Sequence, residues 1–211
     1  MQDMLAFENP WHMLALLGGI TALRAGVSRL RFLGRTRAAT LEFVDSGLIA
    51  VLLVFFILRP FVVQAFYIPS GSMEPTLLAG DRILVSKYSY YLGEPQVGDV
   101  VVFEAPPQAS TEEKDFIKRV VGVPGDILEP RDGKLYRNGE PVDEPYIRGP
   151  VPSYWPGLPP PYEVPEGYVV VFGDNRGNSN DSHEWGPLSR VNLMGKALVI
   201  FWPPHRIGLV R

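Results

Sequence analysis

Gly47 to Leu58 reads GLIAVLLVFFIL, an unbroken apolar run with no polar side chain. Few environments accept such a run, and its flanks narrow the choice. Leu41, Phe43 and Val44 extend it upstream, with Glu42 and Asp45 where a helix N-terminus favours acids. Arg59 closes it, with a side chain long enough to snorkel to a membrane interface, and Pro60 ends helical geometry. A helix over Leu41–Arg59 is roughly 28 Å long at ~1.5 Å per residue, about one hydrocarbon thickness. The expectation is a transmembrane helix over residues 41–60.

A second apolar stretch, Trp11 to Leu23, is shorter and contains Gly18 and Gly19, so one or two spans are expected. It is not a secretory signal, because Asp3 and Glu8 stand where positive charge is required. Between the stretches lie Arg24, Arg29, Arg31, Arg35 and Arg37 with no acid among them. A basic loop beside a span is cytoplasmic by the positive-inside rule. Residues 1–40 therefore read as an apolar segment and cytoplasmic loop, and residues 61–211 as an extracytoplasmic domain.

From Phe61 the texture changes. FVVQAFYI, DRILVSKYSY, DVVVFEA, DFIKRVVGV, YVVVFG and KALVIFW have the length and composition of strands, and most are bounded by Gly, Pro or Asp. With 21 prolines and 21 glycines in the chain, a helical bundle is excluded. The expected fold is mostly β: a membrane-anchored domain of short antiparallel strands with a small β insertion at about residues 127–170. Asn138-Gly139 marks a hairpin turn there, and the proline-rich stretch Arg148–Pro165 an extended excursion.

Composition removes several chemistries. There is no cysteine, hence no disulfide, thiol nucleophile or cysteine-ligated zinc. Three histidines, His12, His183 and His205, do not build a histidine-rich metal centre. A net charge of -3 gives no field that would draw nucleic acid.

Three segments hold candidates for chemistry. Ser70-Gly71-Ser72 places two hydroxyls around a residue that turns freely, but a serine needs a base to become a nucleophile. In Asp115–Asp126, alternation sets Phe116, Lys118 and Val120 on one strand face and Ile117, Arg119 and Val121 on the other. A lysine between apolar residues is either a snorkelling surface cation or a desolvated amine, and a lysine brought to about 7–8 serves as a general base. Gly173–Gly186 is dense in Asp, Asn, Ser and Gly, as in a turn-making loop. A Ser72–His183–Asp181 triad is open on residue type, although no G-x-S-x-G elbow surrounds Ser72. So is a metal site from Asp174, Asp181, His183 and Glu184, although it has no recognised spacing. A silent membrane-anchored binding module is a further alternative.

Together, PSGSMEPTL (Pro69–Leu77), GDRILVSKYSY (Gly80–Tyr90), FIKRVVGVPGD (Phe116–Asp126) and GDNRGNSNDSHEWG (Gly173–Gly186) resemble, in order, the boxes of bacterial type I signal peptidases. These are membrane-bound serine proteases that remove signal peptides from exported proteins. The resemblance implies a Ser-Lys dyad, with Ser72 as nucleophile and Lys118 as general base. It implies that Ser70 and the Ser72 backbone N–H form the oxyanion hole, that Ser179 orients Lys118 by a hydrogen bond, and that Asp181 is a supporting residue. His183 stands where many bacterial members have arginine; thylakoid and cyanobacterial members are similar to this chain in having Asp-Ser-His. The resemblance implies that Ile68, Met73, Leu77, Phe116 and Ile117 line pockets for small side chains, and that the partners are preprotein signal peptides and membrane lipid. It calls for no cofactor and no metal, and places the domain on the outer face of the cytoplasmic membrane. Ser72 lies 13 residues past Arg59, within about 43 Å of the membrane even when fully extended. The oligomeric state has no signal in the sequence.

Overall fold

The computed structural model describes residues 18–19, 21–22, 25–26, 36–53, 63–109 and 115–211. The chain forms two compact units, Met1–Pro60 and Phe61–Arg211.

In the first unit a helix runs from Thr36 to Leu53, starting ahead of the expected Leu41. Phe43, Ile49, Leu52 and Leu53 on it are exposed. No helix among the described residues is long and apolar enough to cross a membrane. The rest of the expected span, residues 54–60, lies outside the described residues, as do most of the Trp11–Leu23 stretch and of the arginine-rich loop.

The second unit is built of antiparallel strands. β1 (Val63–Tyr67), β2 (Arg82–Ser86), β3 (Val100–Glu104), β4 (Asp115–Gly122), β9 (Tyr168–Phe172), β10 (Leu188–Ser189), β11 (Leu193–Trp202) and β12 (Gly208–Leu209) form one sheet. Its order is β1-β2-β11-β3-β4-β9-β10, with β12 also on β11. β5 (Ile127–Arg131), β6 (Lys134–Arg137), β7 (Glu140–Pro141) and β8 (Tyr162–Glu163) form a second sheet in the order β7-β6-β5-β8. Each strand-like run of the sequence contributes a strand. The difference is in DRILVSKYSY, which leaves the sheet after Ser86 and forms a short helix over Ser89–Leu92.

Turn chemistry explains the second sheet. Asn138 and Gly139 both have positive φ, 56° and 83°, and join β6 to β7. Asp132 and Gly133, at 49° and 74°, join β5 to β6 in the same way. Two positive-φ residues give the turn whose twist matches that of the flanking strands.

Alternation along β4 sends its two faces into different apolar clusters. Phe116 and Val120 pack with Val101, Phe103, Val169, Val171 and Leu188. Val121, from the opposite face, packs with Leu128, Leu135, Trp155 and Phe172. A third cluster joins Ile68, Met73, Leu77, Ile83, Val85, Val100 and Val102. Full burial of one such side chain is worth about 1.5–3 kcal/mol, against about 1 kcal/mol net for a hydrogen bond. The unit therefore stands on its apolar clusters, while its polar links fix geometry.

Candidate active site

The chain leaving β1 turns at Ser70-Gly71-Ser72 and is held on both sides. Upstream, Ile68 donates its N–H to the Asp81 carbonyl and accepts from Gly80 N–H, both at 2.9 Å. Downstream, Leu77 N–H bonds to the Met73 carbonyl at 2.9 Å. Met73 and Leu77 are fully buried in the apolar cluster. A Cβ on Gly71 would lie 2.8 Å from the Glu74 carboxylate, so the turn closes most easily with glycine there.

The turn meets β4 at Lys118. Lys118 Nζ lies 2.9 Å from Ser72 Oγ, and both residues are buried, at 4% and 8% exposure. Lys118 Nζ also donates to its neighbour Ile117's carbonyl at 2.9 Å and stands 5.2 Å from the centre of the Phe116 ring. Of the two readings open for this lysine, its burial departs from a snorkelling surface cation. Ser70 Oγ donates to Ser72 Oγ at 3.4 Å.

The third segment closes the site from behind. Asn175 N–H donates to the Ser72 carbonyl at 3.1 Å, and Asn175 Nδ2 donates to the Gly71 carbonyl at 3.0 Å. A Cβ on Gly173 would run into Ser179 Oγ and stand 2.6 Å from the Ser72 carbonyl oxygen, so only glycine fits between them. Ser179 Oγ is buried and makes no hydrogen bond among the described residues. The bond to Lys118 expected of it is not formed; the side chain packs against Gly173 instead.

Asp181 and His183 sit on the far side of Gly173. Asp181 Oδ2 accepts from Gly173 N–H at 2.8 Å, and Oδ1 from His183 N–H at 3.2 Å. His183 Nδ1 is 2.7 Å from Asp181 Oδ1, and Nε2 is 3.1 Å from Glu184 Oε1. Burial acts to lower the His183 pKa, but the hydrogen bond and charge of Asp181, followed by those of Glu184, outweigh it and raise the imidazole above its ordinary 6.5. Both ring nitrogens thus face carboxylates, and the partner at the Ser72 hydroxyl is Lys118. The geometry does not assemble a Ser72–His183–Asp181 triad.

Asp174 is engaged elsewhere. Arg119 Nε and Nη2 donate to its two oxygens at 2.8 and 2.7 Å, and Thr76 Oγ1 donates to Oδ2 at 2.5 Å. This pair is fully buried and binds β4, the serine turn and the loop after β9 together. Among the described residues no three carboxylates or histidines gather as metal ligands. A second buried bidentate pair joins Arg176 to Glu144, while Arg176 Nε donates to the Gly173 carbonyl at 3.1 Å. The roles of Asn175, Thr76, Arg119 and Arg176 were not legible in the sequence, because each depends on a partner brought near only by the fold.

A groove of about 160 Å3 opens at Ser72, lined by Pro69, Ser70, Phe116, Ile117, Lys118 and Asn178 among others. Of the residues expected at a pocket, Phe116 and Ile117 line it. Ile68, Met73 and Leu77 do not; they are buried in the apolar cluster that anchors the turn. β9 pairs with β4 only from Arg119 to Gly122, so the β9-facing side of Phe116 and Ile117 has no strand partner among the described residues.

The family model described as signal peptidase, peptidase S26, matches residues 40–202. The chain belongs to the signal peptidase family. It is 47% identical over 165 residues to the probable signal peptidase I-1 of Synechocystis sp., covering 76% of this chain and 82% of that protein. It is 43% identical over 148 residues to the thylakoidal processing peptidase 1 of Arabidopsis thaliana, covering 67% of this chain and 42% of that protein. Among solved structures, a signal peptidase I from Enterococcus faecalis matches at 30% identity and a TM-score of 0.41, over 49% of this chain and 97% of that one. The members of this family are serine endopeptidases.

Proposed function

We propose that the chain is a membrane-tethered serine endopeptidase that removes signal peptides from preproteins at the outer surface of the cytoplasmic membrane, with Ser72 as nucleophile and Lys118 as general base. The observation that carries this reading is the 2.9 Å approach of Lys118 Nζ to Ser72 Oγ in a buried setting.

The steps follow from the geometry. The neutral Lys118 amine takes the Ser72 proton as Oγ attacks the scissile carbonyl. The carbonyl oxygen becomes an oxyanion, to which the Ser70 hydroxyl and the Ser72 N–H donate. Lys118 passes the proton to the leaving amine, the C–N bond breaks, and an ester remains on Ser72. Water, deprotonated by Lys118, attacks that ester; the bond to Ser72 Oγ breaks, Lys118 returns the proton to Oγ, and the signal peptide leaves with a new C-terminal carboxyl group. Asp181 with His183 is assigned to support Gly173. The signal-peptide half of the substrate pairs as an extended strand along Phe116 and Ile117, and the small groove takes a small side chain such as alanine.

Two apolar surfaces support a membrane setting. One is the exposed row Phe43, Ile49, Leu52 and Leu53 on the Thr36–Leu53 helix, which leads in sequence into the apolar run to Leu58. The other is in the catalytic unit, where Tyr67, Trp202, Ile207 and Leu209 are all exposed. Tyr67 pairs with Arg82, Arg82 with Trp202, and Val199 with Leu209, so Tyr67, Trp202 and Leu209 belong to a run of neighbouring strands, and Ile207 directly precedes the last of them. Aromatic rings with polar edges suit a bilayer interface.

The test is cleavage of a model preprotein in lipid by the wild type and by Lys118→Met and Lys118→Arg. Both variants are expected to be inactive, since a thioether is no base and a guanidinium stays protonated. Turnover like the wild type's by a folded Lys118→Met protein would overturn the reading.

A further inference from the structure

A second cavity, of about 820 Å3, adjoins the catalytic groove. Asn178 and Asn180 line both, and Gln108, Ser179, Glu184 and Trp185 contribute to the rest of its wall. The wall is braced: Asn180 Nδ2 donates to the Ala109 carbonyl at 2.9 Å, and the Trp185 ring packs 6.1 Å from that of Phe103. Two of the lining residues, Ser179 and Trp185, carry polar side-chain atoms with no hydrogen-bond partner among the described residues.

The two volumes differ in what they hold. The groove, at about 160 Å3, holds little more than a side chain, whereas the second is a wide hollow of about 820 Å3, largely open to solvent, with room for a stretch of chain lying along it. A protease cutting within a longer chain must pass substrate away from Ser72 in both directions. On the proposed reading, the half that becomes the acyl group lies along Phe116 and Ile117 and beside Ser70. The leaving half needs its own path from the groove, and the shared wall of Asn178 and Asn180 opens onto one.

We propose that this cavity binds the leaving side of the substrate, the first residues of the mature protein after the scissile bond, as an extended polypeptide read chiefly through its backbone. The lining chemistry fits that ligand. Carboxamides both donate and accept, so Asn178, Asn180 and Gln108 can satisfy a backbone whatever side chains it carries. Ser179 Oγ, which lacks a partner, can gain one by rotating about a single bond. Binding energy gathered away from the reacting atoms can be used to position them, so a truncated substrate should lose rate as well as affinity.

This inference rests on the proteolytic reading of Ser72, and the experiment keeps the two apart. Gly177 lines the cavity but not the groove, and a Cβ placed there would meet nothing within 4 Å, so a large side chain at 177 can fill the cavity without a clash at its root. Gln108 is exposed and tolerates truncation. Two model substrates with the same signal peptide are compared, one ending a single residue after the cut and one continuing well beyond it. For the wild type, kcat/KM should be roughly tenfold higher for the long substrate, the scale of a few good contacts. Gly177→Trp should bring the ratio near one while leaving turnover of the short substrate unchanged. Gln108→Ala should reduce the ratio in part, and it decides the matter alone if Gly177→Trp fails to fold. Ratios like the wild type's in the folded variants, or a loss seen only when the signal-peptide side is shortened, would overturn the inference. Absence of any cleavage by the wild type, or cleavage that survives Lys118→Met, would instead strike the dyad.

Discussion

Asn175 holds Ser72 in place: its main-chain N–H donates to the Ser72 carbonyl, while its side chain donates to the carbonyl of the preceding glycine. The Ser72 peptide is thus clamped by a residue more than 100 positions along the chain. A one-bond freedom at this point moves Oγ relative to the amine, so the clamp acts on rate.

Asn175→Ala removes the side-chain half of the clamp and keeps the main-chain half. A neutral hydrogen bond is worth about 0.5–1.5 kcal/mol net, so kcat should fall by up to about tenfold with KM little changed. Steady-state kinetics on a model preprotein checks this; an unchanged kcat would show that the turn holds its shape without the amide.

Ser70 Oγ stands 3.4 Å from Ser72 Oγ, the proposed nucleophile. Ser70→Ala should lower kcat by roughly 10²–10³, the loss seen for one oxyanion donor. Substrate affinity should hardly move. If kcat and KM both stay at wild-type values, Ser70 has no part in stabilising the oxyanion.

The buried Arg119–Asp174 pair should reveal itself in stability. Removing one partner leaves a charge without its counter-ion in the interior, at a cost of about 3–5 kcal/mol, although the intact pair contributes far less than that. Arg119→Met should therefore lower the unfolding midpoint sharply, and Arg119→Met combined with Asp174→Leu should recover part of the loss. Denaturant unfolding in detergent measures both. Arg119→Lys is not a conservative change, because one ammonium cannot reproduce two parallel bonds to a carboxylate.

His183 should give the stability of the protein a pH signature of its own. Its folded pKa is raised above 6.5 by Asp181 and Glu184, so the protonated imidazole favours the folded state. That contribution is complete below the unfolded pKa, about 6.5, and is lost as pH rises through the folded value. Replacing His183 with glutamine should lower stability at acidic pH and remove the decline above it. Unfolding midpoints of the two proteins across neutral pH should converge as pH rises; a constant gap would mean that His183 titrates alike in both states.

Much of this was legible before any coordinates. Short apolar runs between turn residues specified strands because backbone geometry at Asn138-Gly139 and alternation along Phe116–Val121 are local properties. The serine turn, Lys118 and the loop after β9 were visible as motifs of fixed residue type. The Gly47–Leu58 run announced a helix, and one runs through its first half from Thr36 to Leu53. What the sequence could not supply was register and partner. Lys118 faces Ser72 across 46 residues, a pairing that residue types alone left open and only the family resemblance implied, and Arg119 reaches Asp174 across 55. β11 pairs with both β2 and β3, although it is the last long strand in the chain. Those choices come from burying apolar faces against one another, a condition on the whole chain. The same condition drew Ile68, Met73 and Leu77 into the core instead of a pocket, and packed Ser179 against Gly173. Local sequence set which groups are able to react; long-range packing set which of them meet, because a one-residue slip in a strand turns every side chain to the other face.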